Sequence, residues 1–134
     1  MTDITVIEGI GPAYAEKLAE ANVTTCEGLL EHGATAAGRK AIIEASGLSD
    51  KLILKWVNHA DLCRIKGIGG EFAELLEAAG VDTVPELAQR NAENLAAKLA
   101  EVNEEKSLTR QVPSATRVAE WIDQAKELPR VITH

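Results

Sequence analysis

Ile7-Glu8-Gly9-Ile10-Gly11 returns as Ile65-Lys66-Gly67-Ile68-Gly69, an offset of 65 − 7 = 58 residues. The match continues past the glycines. Ala15, Leu18, Ala21, Val23, Thr25 and Leu29 fall on Ala73, Leu76, Ala79, Val81, Thr83 and Leu87, and Tyr14 falls on Phe72. A fixed-period repeat constrains the fold more than any other feature, because each copy must adopt the same local structure. It also separates roles: positions alike in both copies serve structure, and positions that differ are where function is sought.

The periodicity is helical throughout. Pro12 suits the first turn of a helix, where a missing N–H is harmless, and Tyr14, Leu18 and Ala21 share one face. Asn22 and Gly80 are left-handed helix stops. Thr83-Val84-Pro85-Glu86 predicts a capping box, and Thr24-x-x-Glu27 a similar start in the first copy. A third helix is expected from Thr35 to Ala45, ending at Gly47; its counterpart starts near Asn91 and runs through Leu95, Leu99 and Val102. Ser49-Asp50 caps a helix with Leu52, Ile53, Trp56, Val57 and Ala60 on one face. Pro113-Ser114 starts its partner, with Val118, Trp121, Ile122 and Ala125. That last offset is 121 − 56 = 65, so about seven residues are inserted, expected in the polar stretch Glu104–Gln111. No stretch alternates as a strand. The expected fold class is all-α, divided as 1–62 and 63–134, the second part ending in a stub, Leu128-Pro129-Arg130-Val131-Ile132. This stub either packs on its own body or joins another chain.

Composition narrows the function. Hydrophobic content of 46% and charged content of 26% are ordinary for a globular protein. No apolar run approaches the ~20 residues of a membrane helix, and Met1-Thr2-Asp3-Ile4-Thr5 has no signal-peptide character. A cytoplasmic protein with no membrane partner is expected. Cys26 and Cys63 are too few and too far apart for a disulfide framework or a zinc site; Cys26 falls on Val84, as a small buried residue would. The net charge of −7 and pI near 5.0 lack a broad nucleic-acid footprint. Residues 1–62 carry 5 Lys/Arg and 9 Asp/Glu, and residues 63–134 carry 9 and 12. His32, His59 and His134 do not gather with ligands, and His59, which falls on Gln124, reads as a surface residue. No phosphate-binding P-loop, dinucleotide fingerprint or nucleophile–base pair is present, so neither an enzyme nor a cofactor nor a metal is expected. The four aromatics, Tyr14, Phe72, Trp56 and Trp121, occupy equivalent positions in pairs, which favours core packing over base stacking.

Two glycines around one aliphatic residue, between two helices, make a tight turn whose positive φ glycine tolerates. The next helix then presents unbonded N–H groups and the positive end of its dipole, which suits an anion. The pattern hydrophobic-x-Gly-hydrophobic-Gly, followed by an alanine and a leucine on the next helix (Ala15 and Leu18, or Ala73 and Leu76), resembles the helix-hairpin-helix motif. Gly80-Val81-Asp82-Thr83-Val84-x-Glu86-Leu87 is also typical of the segment C-terminal to such a hairpin. Nearly the whole chain is similar to a bacterial family of tandem helix-hairpin-helix proteins of unknown function. The resemblance implies two repeats packed as one compact pseudo-symmetric body. It also implies sequence-independent contact with nucleic-acid backbone through the turn amides: Gly67, Ile68, Gly69 and Gly70 in the second copy, and Gly9, Ile10 and Gly11 more weakly in the first. Arg64 and Lys66 flank the second turn, whereas Glu8 and Pro12 blunt the first; Glu71 and Glu74 oppose an anion at the second. Two readings stay open: a weak, salt-sensitive nucleic-acid module, and a protein-interaction adaptor whose hairpins are purely structural.

Overall fold

Proline, glycine and small hydroxyl residues set where the helices of this chain begin and end. A computed structural model describes residues 2–133. Among them are eight α-helices: α1 (Pro12–Glu20), α2 (Cys26–Gly33), α3 (Ala36–Ser46), α4 (Asp50–Leu62), α5 (Gly70–Ala78), α6 (Val84–Ala88), α7 (Ala92–Lys106) and α8 (Ala115–Glu127), preceded by a 3-10 turn, Ile4–Val6. No strand forms among the described residues, only an isolated bridge between Asp3 and Thr25. No helix there is long and apolar enough to cross a membrane.

The caps follow the sequence with two corrections. Thr35, Asn91 and Ser114 accept from the backbone N–H three residues on, at α3, α7 and α8, and Ser49 accepts from Leu52 N–H at α4. At α2 the cap is Thr25, not Thr24; its hydroxyl accepts from Gly28 N–H at 2.9 Å. Glu27 accepts instead from Thr2 N–H at 2.7 Å. At α6, Thr83 makes no side-chain cap bond, and Glu86 pairs with Arg90 at 2.9 Å. That capping box therefore does not form: Val84 opens the helix with Pro85 second, and Arg90, which holds Glu86, also donates to Gly80 O. Asn22 and Gly80 have positive φ, 63° and 94°, and each is followed by a wrapping bond, Val23 N–H to Leu18 O and Val81 N–H to Leu76 O.

The chain divides into two compact units, residues 1–61 with 131–134, and residues 62–130. In the first, Ile4, Ile7, Ile10, Leu18, Val23, Leu29, Ile42, Ile53, Trp56 and Val57 are buried together. In the second, Ile65, Ile68, Leu75, Leu76, Leu87, Leu95, Leu99, Val118, Trp121 and Ile122 form the core. At about 25 cal/mol per Å² of apolar area, such clusters supply most of the drive to fold.

The C-terminal stub packs on its own chain. Ile132 is buried in the first unit's core, Thr133 N–H donates to Ala34 O at 2.7 Å, and the buried Arg39 donates to Gly33 O, Ala34 O and Thr133 O. His59 is not a surface residue but fully buried. Residues 56 to 62 are buried without a break, so the C-terminal half of α4 is covered on every side and a single-stripe reading fails there. The polar insertion is also shorter as a loop than its composition suggests, because α7 continues to Lys106 and stops at the left-handed Ser107 (φ 51°). His134 lies outside the described residues.

Candidate nucleic-acid interface

Each Ile-x-Gly-Ile-Gly segment forms a turn between helical segments. Ile68 N–H donates to Ile65 O at 3.1 Å, as Ile10 N–H does to Ile7 O at 3.1 Å. Gly67 and Gly9 have φ of 99° and 92°, a left-handed region where a Cβ would be strained. Ile68 and Ile10 are buried plugs, 4% and 3% exposed. Gly69 and Gly11 then serve as N-caps of α5 and α1, without any side-chain cap bond.

In the second turn, α5 begins with the N–H groups of Gly70, Glu71 and Phe72. The first intrahelical bond there is Ala73 N–H to Gly69 O, 2.9 Å, so these three donors precede the ladder. The Lys66 peptide is held on both sides by one amide: Lys66 N–H donates to Gln124 Oε1 at 2.9 Å, and Gln124 Nε2 donates to Lys66 O at 3.2 Å. This clasp fixes the turn to α8 while Lys66 itself stays exposed. Arg64 is half-buried, and its Nη2 donates to Pro129 O at 2.9 Å. The structure therefore groups Lys66 with the Gly67–Gly70 turn, and it turns Arg64 toward the chain leaving α8.

Two residues that the repeat comparison passes over border this turn. A Cβ placed on Gly67 would lie 3.0 Å from Trp121 Nε1 and 3.8 Å from Arg117 Nη2. Arg117, in the first turn of α8, sits with its guanidinium 5.0 Å from the Phe72 ring centroid and 5.6 Å from that of Trp121. Arg110 joins Arg117, Glu71 and Phe72 around a cleft in the same unit. The signal was in the repeat: at the offset of 65 that aligns the tryptophans, Arg117 falls on Leu52.

In the first turn Pro12 occupies the first position of α1 and removes one of the three donors. Glu8 is exposed, and Tyr14 stacks at a tilt on Trp56 with centroids 5.1 Å apart, as Phe72 does on Trp121 at 5.3 Å. Both tryptophans are 1% exposed, so neither offers a stacking platform. Cys26 is buried, its Sγ 3.4 Å from Asp3 O, and the described residues hold no group of three or more His, Cys, Asp and Glu side chains suited to a metal.

No curated protein and no solved structure matches this chain. A family model does: it covers residues 8–128, both turns included, and the chain belongs to the family described as a domain of unknown function (DUF4332).

Proposed function

We propose that this chain is a non-enzymatic tandem helix-hairpin-helix module, two pseudo-symmetric repeats in one body, that binds nucleic-acid backbone weakly and without sequence preference through its second hairpin. The observation that carries this reading is the start of α5: three N–H groups with no side-chain cap, beside an exposed Lys66 whose peptide is clasped by Gln124. Helix N-termini favour anions through these orphan donors and the dipole behind them. The turn fixes geometry without reading a base edge, which suits phosphate contact. The acidic surround keeps the affinity low. Cys26 and Cys63 are not disulfide-linked, which suits a reducing, cytoplasmic setting.

Fluorescence anisotropy with a labelled duplex at about 50 mM salt tests the reading. One or two phosphate contacts predict a log–log salt slope of about −1 to −2. Lys66→Glu should weaken binding about tenfold and flatten that slope by about one. Wild-type protein that leaves the duplex free at low salt, or a Lys66→Glu variant that binds as well, rejects it.

A second reading has its own observation. Val6 and Tyr14, on either side of the first turn in sequence, are 43% and 38% exposed, and exposed aromatic side chains are favoured at protein interfaces. A protein partner captured by the wild type but not by Tyr14→Ser, with no duplex binding, would put the adaptor first.

A further inference from the structure

The loop between α7 and α8 is organised. Asn103, in the last turn of α7, donates from Nδ2 to Thr109 O at 3.0 Å and accepts from Thr109 N–H at 2.9 Å. Thr109 Oγ1 donates to Gln111 O at 2.8 Å. These bonds place Arg110 on the rim of a cleft of about 360 Å³ lined by Glu71, Phe72, Thr109, Arg110, Gln111 and Arg117. The opposite wall is the first turn of α5. Neither cleft arginine takes part in the ion pairs Arg90–Glu86 and Lys98–Glu101.

We infer that this cleft binds a phosphoryl group, with Arg110 and Arg117 as its cationic ligands. It rests on the hairpin proposal in one respect, since it borrows the α5 amides from that turn, but the arginines come from other elements. Arginine fits the task better than lysine: its planar fork meets two phosphate oxygens at once, and it is weakly hydrated. Arg117 is partly ordered beforehand, because its guanidinium rests over Phe72 and Trp121 and cation–π contact holds the plane while the N–H edge remains available. Two guanidiniums match the charge of inorganic phosphate or a phosphate monoester near its dianion, and exceed by one that of a backbone phosphodiester, a monoanion. Glu71 lines the same cleft and opposes the anion, so binding is weak by construction and its removal should strengthen it. The first repeat has no equivalent, since Leu52 stands where Arg117 does.

The phosphoryl group belongs either to a strand lying across the hairpin or to a free phosphate compound, and the arms of one experiment separate them. Inorganic phosphate and pyrophosphate are titrated into the full chain, followed by NMR of backbone amides and arginine Nε–H groups; labelled duplex is titrated in parallel by anisotropy. Both probes are run on wild type, Arg110→Gln/Arg117→Leu, Glu71→Gln and a Lys98→Gln control. Phosphate should shift the Arg110 and Arg117 Nε–H signals together with the Glu71 and Phe72 amides. The double variant should bind about tenfold more weakly, the loss expected of one charge-assisted hydrogen bond. Glu71→Gln should bind about threefold more tightly, as for an exposed opposing charge. The control should not change. Leucine is the first repeat's residue at that position, and the amide spectrum around Trp121 checks the packing; if the double variant misfolds, Arg117→Lys keeps the charge, loses the fork and should still weaken phosphate. Unchanged phosphate binding in the arginine variants overturns the cleft proposal, and duplex binding that then falls only with Lys66→Glu leaves the hairpin reading standing. Phosphate bound in the cleft with no duplex binding rejects the hairpin reading and assigns the cleft to a free phosphate compound. Absence of both ends both.

Discussion

The two hairpins share a backbone, a buried plug and an aromatic pair, and differ in the surface side chains around them. Gly9 and Gly67 have φ of 92° and 99°, Ile10 and Ile68 are equally buried, and each turn leads to an aromatic stacked on a tryptophan at almost the same separation. Yet α1 buries only Leu18, whereas α5 buries Gly70, Ala73, Leu75 and Leu76. At the second turn Gln124 clasps the Lys66 peptide; its counterpart in the first repeat, His59 (124 − 65), is fully buried. Glu8, Pro12 and Leu52 stand where Lys66, Gly70 and Arg117 do. A turn held by glycine φ and an aliphatic plug is indifferent to its surface, so one scaffold can carry Lys66, Gly70 and Arg117 in one copy and Glu8, Pro12 and Leu52 in the other.

The largest effect that would sharpen this contrast lies at the glycines. Alanine in the left-handed region costs about 1–2 kcal/mol, and Gly9→Ala should show about that, because its added Cβ would lie 3.7 Å from Trp56 Nε1, an ordinary contact. Gly67→Ala would put its Cβ 3.0 Å from Trp121 Nε1, so the buried indole or the turn must shift. Overpacking adds about 1–3 kcal/mol, for a total of about 2–5 kcal/mol. Urea unfolding of both variants, read by tryptophan fluorescence, decides it. Equal losses would mean that the second turn is no more tightly seated than the first.

Charge exchange comes next. Lys66→Glu should weaken duplex binding about tenfold, whereas Glu8→Lys should strengthen it no more than about threefold, the scale of one exposed charge. The first turn still lacks the donor that Pro12 removes, and it has no guanidinium where Leu52 stands. Anisotropy at low salt compares the two changes directly. A gain from Glu8→Lys as large as the loss from Lys66→Glu would make the hairpins interchangeable and leave the α5 amides without a role.

How much of this was legible in the sequence depends on the range of the interaction. Helix bounds set by a residue's own backbone, such as Pro12, Thr35, Gly47, Asn91 and Ser114, could be read directly, because caps and left-handed stops act within a few positions. The burial of Trp56 and Trp121 followed from their matching places on apolar faces. What was not legible depended on partners far along the chain. Thr24 and Thr25 are equivalent locally, and the choice between them goes with Thr2, whose N–H donates to Glu27 Oε1 and whose carbonyl accepts from Cys26 N–H. His59 looked like surface because Gln124 is polar, but α4 is covered on every side there. Arg64 sits next to the second turn in sequence yet bonds Pro129, 65 residues away. Arg110 and Arg117 reach the cleft from a loop and a helix that no local motif connects to the glycines.

The smallest effect concerns acid and separates the two lead-ins, the segments 3–7 and 61–65 that enter the turns at the same offset of 58. Asp3 and Asp61 are equivalent in the repeat, but Asp61 is buried at the end of α4 while Asp3 is exposed and bonds both the hydroxyl and the N–H of Thr5. The Thr5 hydroxyl, and then its N–H, hold the Asp3 carboxyl below its ordinary pKa, and the Thr2 N–H does the same for Glu27. A carboxyl lowered in the folded state contributes stability that is complete above its unfolded pKa, near about pH 4, and is lost as pH falls from there through the lowered value. Protection of the Thr2 and Thr5 amides against hydrogen exchange should therefore fall between about pH 5 and pH 3, after correction for intrinsic exchange. Asp3→Asn should remove the pH dependence at Thr5, and Glu27→Gln that at Thr2. Cys63 stands where Thr5 does, so the second segment has a thiol where the first has this hydroxyl, and exchange of its amides over the same window gives the comparison. Equal acid loss at residues 63–65 would show that the two lead-ins are tied down alike and that their divergence begins only at the turn.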